Sequence, residues 1–316
     1  MVQGWPAEQV AALTMVVDRV TGEAWRALRR EDISAILLKG PAIARWLYDP
    51  SEPRGYGDAD LLVDPRRVGD ARRALADLGF RAWPSAIPGD RPGASEAWWR
   101  PRDRATVDLH TTLPGARVPP EAAWEILREH AEPMEVAGVR LQVLSAPARA
   151  VHVALHAIHP GTDHVKPLED VTRAVARLPT GTWERAAAIA GRLDALPAFA
   201  AGLRLAPEGG HLADRLGLPR SVPPDMLLRA RGAPRGALTL DWLATQPGAR
   251  AKLALVGRKV VPPPSFMRTW SRVARRGPGG LALAYLWRIP WLAWRSGPAV
   301  AAWIRVRSPR GGGERS

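Results

Sequence analysis

The chain has 316 residues, no cysteine and a formal net charge of +14 at pH 7. A chain of this length can bury a full hydrophobic core, and the lack of cysteine excludes disulfides and thiolate metal sites. No stretch approaches the roughly 18 uninterrupted apolar residues of a membrane span, and the N-terminus lacks a basic-then-apolar signal pattern. We therefore expect a cytoplasmic protein in which a domain of mixed elements precedes a helical one.

The first part of the chain predicts alternating helices and strands. Apolar residues at helical spacing begin the pattern, and Lys39-Gly40-Pro41 later separates a buried strand from a helix whose first turn contains the proline. The predicted elements are a helix at 5–30, a strand at 33–38, a helix at 41–48, a strand at 59–63 and a helix at 66–78.

The middle of the chain predicts paired strands, and the part after it predicts helices. The Pro- and Gly-rich residues 83–95 predict a loop that could overhang a site. Two β-prone stretches follow, and a later pair flanks Ala137-Gly138 as a hairpin. From Ser145 to about residue 205 the pattern is helical. The predicted strands are 98–100, 106–111, 134–136 and 139–144.

Three aspartates are the most informative side chains. Asp58 and Asp60 occur in Gly57-Asp58-Ala59-Asp60-Leu61, where the alternation of a strand directs both carboxylates to one face. Asp108 lies in another β-prone stretch and could join them. Carboxylates brought this close repel one another unless a cation lies among them, and hard oxygen ligands suit Mg²⁺ with phosphate oxygens. A solvated Asp-x-Asp on a surface strand is the simpler alternative.

The turn at Lys39-Gly40 strengthens the first interpretation. Glycine lets the backbone approach a phosphate closely, and the free amides at the start of a helix attract anions. The order strand, Lys-Gly, helix, loop and Asp-x-Asp strand seldom arises by chance. Together these features favour phosphoryl or nucleotidyl transfer.

Several separated motifs resemble the uncharacterised nucleotidyltransferase family of the polymerase-β-like superfamily. The resemblance covers roughly residues 25 to 260 and departs from the superfamily pattern at the turn, where Lys-Gly-Pro replaces Gly-Gly or Gly-Ser. The motifs that carry it are Leu38-Lys39-Gly40-Pro41-Ala42, Tyr48, Arg54, Gly57-Asp58-Ala59-Asp60-Leu61-Leu62-Val63, Val107-Asp108-Leu109-His110, His152, His156 and Leu168-Glu169-Asp170-Val171.

This resemblance implies an α/β (α+β) fold: a polymerase-β-like nucleotidyltransferase domain with a small mixed sheet, a helical domain and a basic, Trp-rich C-terminal extension. We expect these at 1–144, 145–260 and 261–316. It also implies Mg-dependent transfer of a nucleoside monophosphate from an NTP, with ATP as the expected co-substrate. The acceptor would be a hydroxyl on a small molecule or on a natural-product or peptide intermediate.

The resemblance also assigns roles to residues. Two Mg²⁺ ions would be held by three carboxylates, with Asp108 on the metal that activates the nucleophile. Arg54 would orient the Asp-x-Asp loop or contact phosphate, or would form a structural salt bridge. The predicted metal and catalytic residues are Asp58, Asp60 and Asp108, and the predicted nucleotide-binding residues are Lys39, Gly40, Arg54, His110, Lys166 and Asp170.

Histidines in the helical half allow a second interpretation. His152 and His156 lie one helical turn apart, which is a spacing found in zinc sites, and His159 and His164 follow. The sequence shows no closed ligand set, so packing or hydrogen bonding near the cleft is the alternative. Asp170 could likewise be an ordinary helix-face carboxylate.

The C-terminal segment carries nearly all of the net charge. Residues 250–315 contain fourteen Lys and Arg against one acid, which predicts a polyanionic partner. We expect Pro290 and Pro298 to divide residues 281–304 into short helices. The Trp- and Arg-rich stretch at 281–304 could lie on an anionic membrane, making the protein peripheral, or could pack over the catalytic domain. Nucleic acid is a less favoured partner, since no RNA-binding module is recognisable.

Two other functions remain open from the sequence. One is a protein-adenylylating enzyme of the toxin–antitoxin type, which would use the same site on a different acceptor. The other is a non-catalytic adaptor that binds membrane or RNA through its C-terminal segment. The presence of Lys39, Asp58, Asp60 and Asp108 argues against the adaptor.

Overall fold

The structure is a computed structural model that describes residues 7–49, 51–83, 95–158, 165–246 and 248–308. These residues form two compact units, of which the first ends at residue 221 and the second begins at residue 222. The predicted boundaries after residues 144 and 260 stay predictions, because compactness does not test which segments fold by themselves.

The first unit contains a seven-stranded sheet and nine helices within the described residues. Its strands are β1 (Ala35–Leu37), β2 (Ala59–Val63), β3 (Arg81–Ala82), β4 (Ser95–Arg100), β5 (Ala105–His110), β6 (Ala131–Val136) and β7 (Val139–Leu144). Its helices are α1 (Ala7–Arg30), α2 (Pro41–Leu47), α3 (Val68–Asp77), α4 (Pro120–Glu129), α5 (Ala146–Ile158), α6 (Val165–Arg177), α7 (Thr180–Arg192), α8 (Leu196–Leu203) and α9 (Gly209–Arg215).

The strand order is β3-β4-β5-β2-β1-β7-β6. The pairs β2–β5 and β1–β7 are parallel, and the other pairs are antiparallel. The central strands β1 and β2 are buried along their whole length, as expected for strands covered on both faces. Apolar residues of α1 and α3 pack with the sheet in one core cluster.

The predicted strands and helices of this unit are largely confirmed. The hairpin turns at Ala137-Gly138, where both residues have positive φ, of 49° and 71°, as the right-handed twist of a two-residue hairpin requires. The 33–38 strand is shorter than predicted, and a 3₁₀ turn at Pro65–Arg67 begins the third helical segment. Most of the predicted loop at 83–95 lies outside the described residues.

The helices after the sheet pack around α5. This helix is buried over most of its length, and it contacts α6, α7 and α8. A Cβ on Gly202 of α8 would lie 1.9 Å from the carbonyl oxygen of Ala154, so the close crossing of α5 and α8 requires glycine. The helical prediction from Ser145 onward is confirmed.

The second unit is helical in its described residues. It contains α10 (Pro224–Ala230), α11 (Arg235–Thr245), α12 (Gly248–Val260), α13 (Pro264–Trp270), a 3₁₀ turn at Val273–Arg275 and α14 (Pro278–Arg307). In the part of the chain that is described, no helix combines the length and the apolarity needed to cross a bilayer.

One prediction for the second unit is wrong. Pro290 and Pro298 do not divide the segment, since α14 continues through both as a single helix of 30 residues. Each proline removes one backbone hydrogen bond, to the residue four positions earlier. Those residues are Leu286 and Trp294, which are 67% and 78% exposed, so water can reach this side of the helix and replace the lost bonds.

Candidate active site

The parallel pairing of β2 with β5 brings two of the predicted aspartates together. Asp60 pairs in register with Asp108, although the two are 48 positions apart in the chain. His110 follows Asp108 by two positions and therefore lies on the same face of β5. Asp60 is 1% exposed, whereas Asp108 is partly exposed.

The antiparallel pairing of β1 with β2 brings the Lys39-Gly40 turn beside Asp60. The amide of Leu38 donates to the carbonyl of Asp60 at 2.9 Å, so the end of β1 lies beside the start of β2. As a result, the Lys39 Nζ atom lies 2.5 Å from Asp60 Oδ1. His110 Nε2 contacts the same oxygen at 3.0 Å.

The charges at Asp60 and Lys39 stabilise each other. Burial alone would raise the pKa of the Asp60 carboxyl, but Lys39 and the hydrogen bond from His110 outweigh it and lower that pKa. Burial would lower the pKa of the Lys39 ammonium, but Asp60 and Asp58 raise it above its usual value. Both groups are therefore charged at neutral pH.

The pKa values of the other two aspartates are raised by burial and by the charge of Asp60. The charge of Asp60, together with burial, raises the pKa of Asp58 to about 6 against the opposing effect of Lys39. Burial and then the charge of Asp60 raise the pKa of Asp108. Carboxylates with raised pKa values gain from a nearby cation, because a cation favours their charged forms.

The residues present suit a divalent metal. Asp60, Asp108 and His110 each offer one ligand atom, and these atoms lie within 4.8 Å of one another. Asp60 Oδ2 is buried without a hydrogen-bond partner, although a buried carboxylate oxygen normally has one. Among the described residues, Asp58 is not part of this group, and its role as a metal ligand stays a prediction.

Gly40 occupies a backbone conformation that excludes other residues. It caps α2 with φ 62° and ψ −125°, and a side chain there would be strained. A Cβ would contact the Tyr56 ring at 3.4 Å. The Tyr56 hydroxyl donates to Asp18 of α1 at 2.7 Å and so fixes that ring beside the turn.

The loop that leads to Asp58 is attached to α6. Arg54 donates through Nε and Nη2 to the two oxygens of Asp170, each at 2.7 Å, and both side chains are buried. The Tyr48 hydroxyl donates to Asp170 Oδ1 at 2.7 Å, and Lys166 Nζ donates to the Gly55 carbonyl at the same distance. Of the alternatives for Arg54, the structure shows the salt bridge.

Of the four histidines that the sequence groups in the helical half, the structure describes two. The rings of His152 and His156 lie 6.0 Å apart between centroids, and His159 and His164 fall outside the described residues. Burial, reinforced by the charge of Lys39, lowers the pKa of His152 to about 3, so this ring is neutral. In the described ranges, these two histidines do not join a third ligand in a metal-competent group.

Sequence reasoning missed the two tyrosines that order this region. Tyr48 belongs to the motifs that carry the family resemblance, and no pattern in the sequence singles out Tyr56. The Tyr48 hydroxyl donates to Asp170, 122 residues away in the chain, and the Tyr56 hydroxyl donates to Asp18, 38 residues away. No local pattern links such distant positions, although the occurrence of only three tyrosines in the chain was a weak signal.

The raised pKa of Asp58 predicts a specific pH dependence in metal-free protein. Folded Asp58 holds its proton up to about pH 6, whereas the unfolded chain releases it near the ordinary value of 3.8. At this residue the unfolded state thus binds fewer protons between these values, and the contribution of Asp58 to the free energy of unfolding should fall as the pH rises from about 4 to about 6. The loss attributable to Asp58 should be at most about 3 kcal/mol.

Urea denaturation in EDTA at several pH values would measure this effect. His152 contributes the opposite slope, because its lowered pKa leaves it neutral in the folded protein while the unfolded chain binds a proton. We therefore compare the free energy of unfolding of the wild type with that of Asp58→Asn at each pH. The wild-type value minus the variant value should decline from about pH 4 to about pH 6. A difference that does not change with pH would contradict the assigned environment of Asp58.

Three solved structures are similar to the chain at low identity. The solution structure of the antibiotic-resistance factor ANT(2'')-Ia has 20% identity and a TM-score of 0.41, covering 57% of this chain and 94% of that chain. The crystal structure of ANT(2'')-Ia with adenylyl-2''-tobramycin has 18% identity and a TM-score of 0.40, covering 55% and 97%. An antigenic nucleotidyltransferase-like protein from Paracoccidioides brasiliensis has 15% identity and a TM-score of 0.34, covering 61% and 93%. Likenesses this distant say nothing about activity or substrate.

A comparison with curated proteins found no match. The family model described as uncharacterised nucleotidyltransferase matches residues 7–209, which is more than half of the chain and includes all the site residues above. This match confirms the resemblance seen in the motifs, and with the mixed sheet it confirms the predicted α/β (α+β) fold class. The chain therefore belongs to the uncharacterised nucleotidyltransferase family of enzymes.

Proposed function

We propose that this protein transfers a nucleoside monophosphate from an NTP, with ATP as the expected donor, to an acceptor hydroxyl and releases pyrophosphate. The acceptor class we propose is a small molecule or a natural-product or peptide intermediate. The observation that carries the proposal is the in-register pairing of Asp60 with Asp108, with His110 beside them and one buried Asp60 oxygen unpartnered.

The metal in this proposal is Mg²⁺, with two ions expected. Asp60 and Asp108 supply hard oxygen ligands, and Asp58 adds a third carboxylate two residues before Asp60. When bound, two such ions stabilise the attacking and leaving oxygens of an in-line displacement. His110 holds Asp60 in orientation through the contact to Oδ1.

The Lys-Gly turn supports binding of the triphosphate. Lys39 is a charged ammonium at the edge of the site, and its charge would offset that of the phosphates. Gly40 allows the backbone to approach a phosphate without a side chain in between. Arg54, Asp170 and Lys166 act in this proposal by holding the loop that precedes Asp58.

Asp108 is the carboxylate best placed for the acceptor. It is partly exposed and belongs to the group with Asp60 and His110, whereas Asp60 is buried and Asp58, also partly exposed, lies outside that group. The acceptor hydroxyl can therefore approach this group from the side of Asp108. Burial and the charge of Asp60 raise the pKa of Asp108, whereas Asp60 is compensated by the direct contact with Lys39. We therefore assign Asp60 mainly to the buried ion pair with Lys39. We assign Asp108 to the metal ion nearest the acceptor hydroxyl.

Calorimetry of nucleotide binding tests the proposal. The full-length protein should bind ATP or another NTP in the presence of Mg²⁺ and should lose this binding in EDTA. Gly40→Ala should weaken the binding by about tenfold, because relief of the strain at positive φ displaces the turn. The matched control is Gly69→Ala, since a Cβ at Gly69 would meet nothing within 4 Å.

Binding that is equally strong without Mg²⁺, or that is unaffected by Gly40→Ala in folded protein, would contradict the assigned site. A transfer assay with ATP labelled at the α-phosphate then identifies the acceptor class. Label in a small molecule supports the proposal, whereas label confined to a protein acceptor would replace the proposed acceptor.

A further inference from the structure

Helix α14 exposes a mostly apolar face. Leu286, Trp287 and Trp294 are 67%, 64% and 78% exposed. At 100° per residue these positions share one face of the helix with several other apolar residues. We call this face the α14 stripe, and its members are Leu283, Leu286, Trp287, Pro290, Trp294, Ala301 and Ile304.

The opposite face of α14 is already covered by its own unit. Ala284, Arg288 and Ala299 are buried, and Trp291 packs edge-on against Trp270 with centroids 5.2 Å apart. Arg288 donates to the Lys259 carbonyl at 3.1 and 3.2 Å. The second unit thus has its own core on one side of α14, and the stripe is not part of that core.

An apolar face of this kind requires a partner. Single exposed apolar residues are common on proteins, but a contiguous exposed patch marks an interaction surface. The stripe extends from residue 283 to residue 304, which at 1.5 Å per residue is about 30 Å of helix. The members of the stripe are uncharged, and exposed Arg305 lies on the same face at its C-terminal end.

The charge of the segment that contains the stripe favours one kind of partner, although buried Arg288 and Arg307, which pairs with Asp241, do not contribute to it. Residues 250–308 contain twelve Lys and Arg and no Asp or Glu. This charge favours an anionic partner, which must also accept Leu283, Leu286 and Ile304. Nucleic acid could stack on the tryptophans but would leave these aliphatic side chains in water. The surface of an anionic bilayer accepts aliphatic groups, indole rings and cations together.

We propose that the α14 stripe binds the surface of an anionic lipid bilayer, with its tryptophans at the level of the headgroups and the exposed Arg295 and Arg305 of α14 paired with lipid phosphates. Trp291 is excluded from this contact because it packs against Trp270. The proposal concerns the second unit and does not depend on nucleotidyl transfer in the first.

Sedimentation of full-length protein with vesicles tests the proposal. The protein should bind vesicles of phosphatidylcholine and phosphatidylglycerol at low salt, bind phosphatidylcholine alone much more weakly, and dissociate at high salt. Replacing Trp287 and Trp294 by alanine should reduce binding by roughly tenfold for each tryptophan. Brominated lipids should quench the fluorescence of the wild type more than that of the double variant.

Trp83 provides a matched control. It is 56% exposed and belongs to the first unit, so Trp83→Ala should leave vesicle binding unchanged. Leu286→Glu should abolish binding while retaining the far-ultraviolet circular dichroism of the wild type. These two variants separate loss of the stripe from loss of the fold.

Several results would overturn the proposal. One is wild-type protein that stays in the supernatant with anionic vesicles at low salt, and another is equal binding by the wild type and the double variant. A dimer that the double variant dissociates, without vesicle binding by the wild type, would show that a second copy covers the stripe. Salt-sensitive binding to RNA in the absence of vesicle binding would equally replace the bilayer as partner.

Discussion

Replacing Asp108 by asparagine should reduce nucleotidyl transfer by about a thousandfold or more while leaving the protein folded. The reason is that Asp108 supplies a charged oxygen to the group formed with Asp60 and His110. Asparagine keeps the shape and the strand register but removes the charge. Because burial and Asp60 raise the pKa of Asp108, removal of this charge also relieves repulsion in the metal-free protein.

The measurement is pyrophosphate release with a saturating NTP and acceptor, accompanied by urea denaturation of each variant. Asp77→Asn is the matched control, since Asp77 is an exposed carboxylate in α3 and should tolerate the same change. Asp58→Asn should also lose transfer. Activity near that of the wild type in Asp108→Asn would show that the metal group has been wrongly assigned.

Asp60→Asn should differ from these variants by losing stability as well as activity. Asp60 forms a buried ion pair with Lys39 at 2.5 Å, and the substitution leaves the ammonium without its partner. Removal of one partner from a buried pair typically costs about 3–5 kcal/mol. Asp108→Asn is therefore the clearer test of chemistry, and Asp60→Asn is a test of the ion pair.

Breaking the Arg54–Asp170 pair should lower the free energy of unfolding by about 3–5 kcal/mol in either single variant, Arg54→Gln or Asp170→Asn. Both side chains are buried, at 5% and 2% exposure, and two parallel hydrogen bonds join them. Either change leaves a polar or charged partner unsatisfied in the interior. The double variant Arg54→Met/Asp170→Leu should recover much of the loss, because it leaves no buried charge.

An exposed ion pair on the same helix provides the control. Arg177 of α6 contacts Asp49 at 2.5 Å, but these side chains are 41% and 59% exposed. Asp49→Asn should therefore cost at most about 1 kcal/mol. The measurement is urea denaturation of all the variants at one pH. A loss in Asp170→Asn no larger than that in Asp49→Asn would show that the pair does not anchor the loop before Asp58.

The same variants report on the site. If α6 positions the loop through Asp170, nucleotide affinity should fall in Asp170→Asn and should recover only partly in the double variant, since the apolar pair restores packing but not the geometry of two hydrogen bonds. Asp49→Asn should bind nucleotide as the wild type does.

The sequence by itself determined the turns and the ends of helices and strands, because these depend on residues that are neighbours in the chain. The alternation around Asp58 and Asp60 placed them at the start of β2, and Ala137-Gly138 formed the predicted hairpin. Lys39-Gly40-Pro41 ended a strand and began a helix, because a positive φ suits glycine and the first turn of a helix suits proline. Such features rest on interactions between residues a few positions apart, which the sequence shows directly.

Contacts between distant residues were decided by the tertiary structure. Only the parallel pairing of β2 with β5 brings Asp60 beside Asp108 and adds His110 to their group. Arg54 and Asp170 form an internal ion pair because the tertiary structure buries both side chains, and no local pattern in the sequence predicts that burial. Burial also decides the course of α14: the carbonyls that Pro290 and Pro298 leave without partners belong to exposed residues outside the core of the second unit, so the helix continues through both prolines.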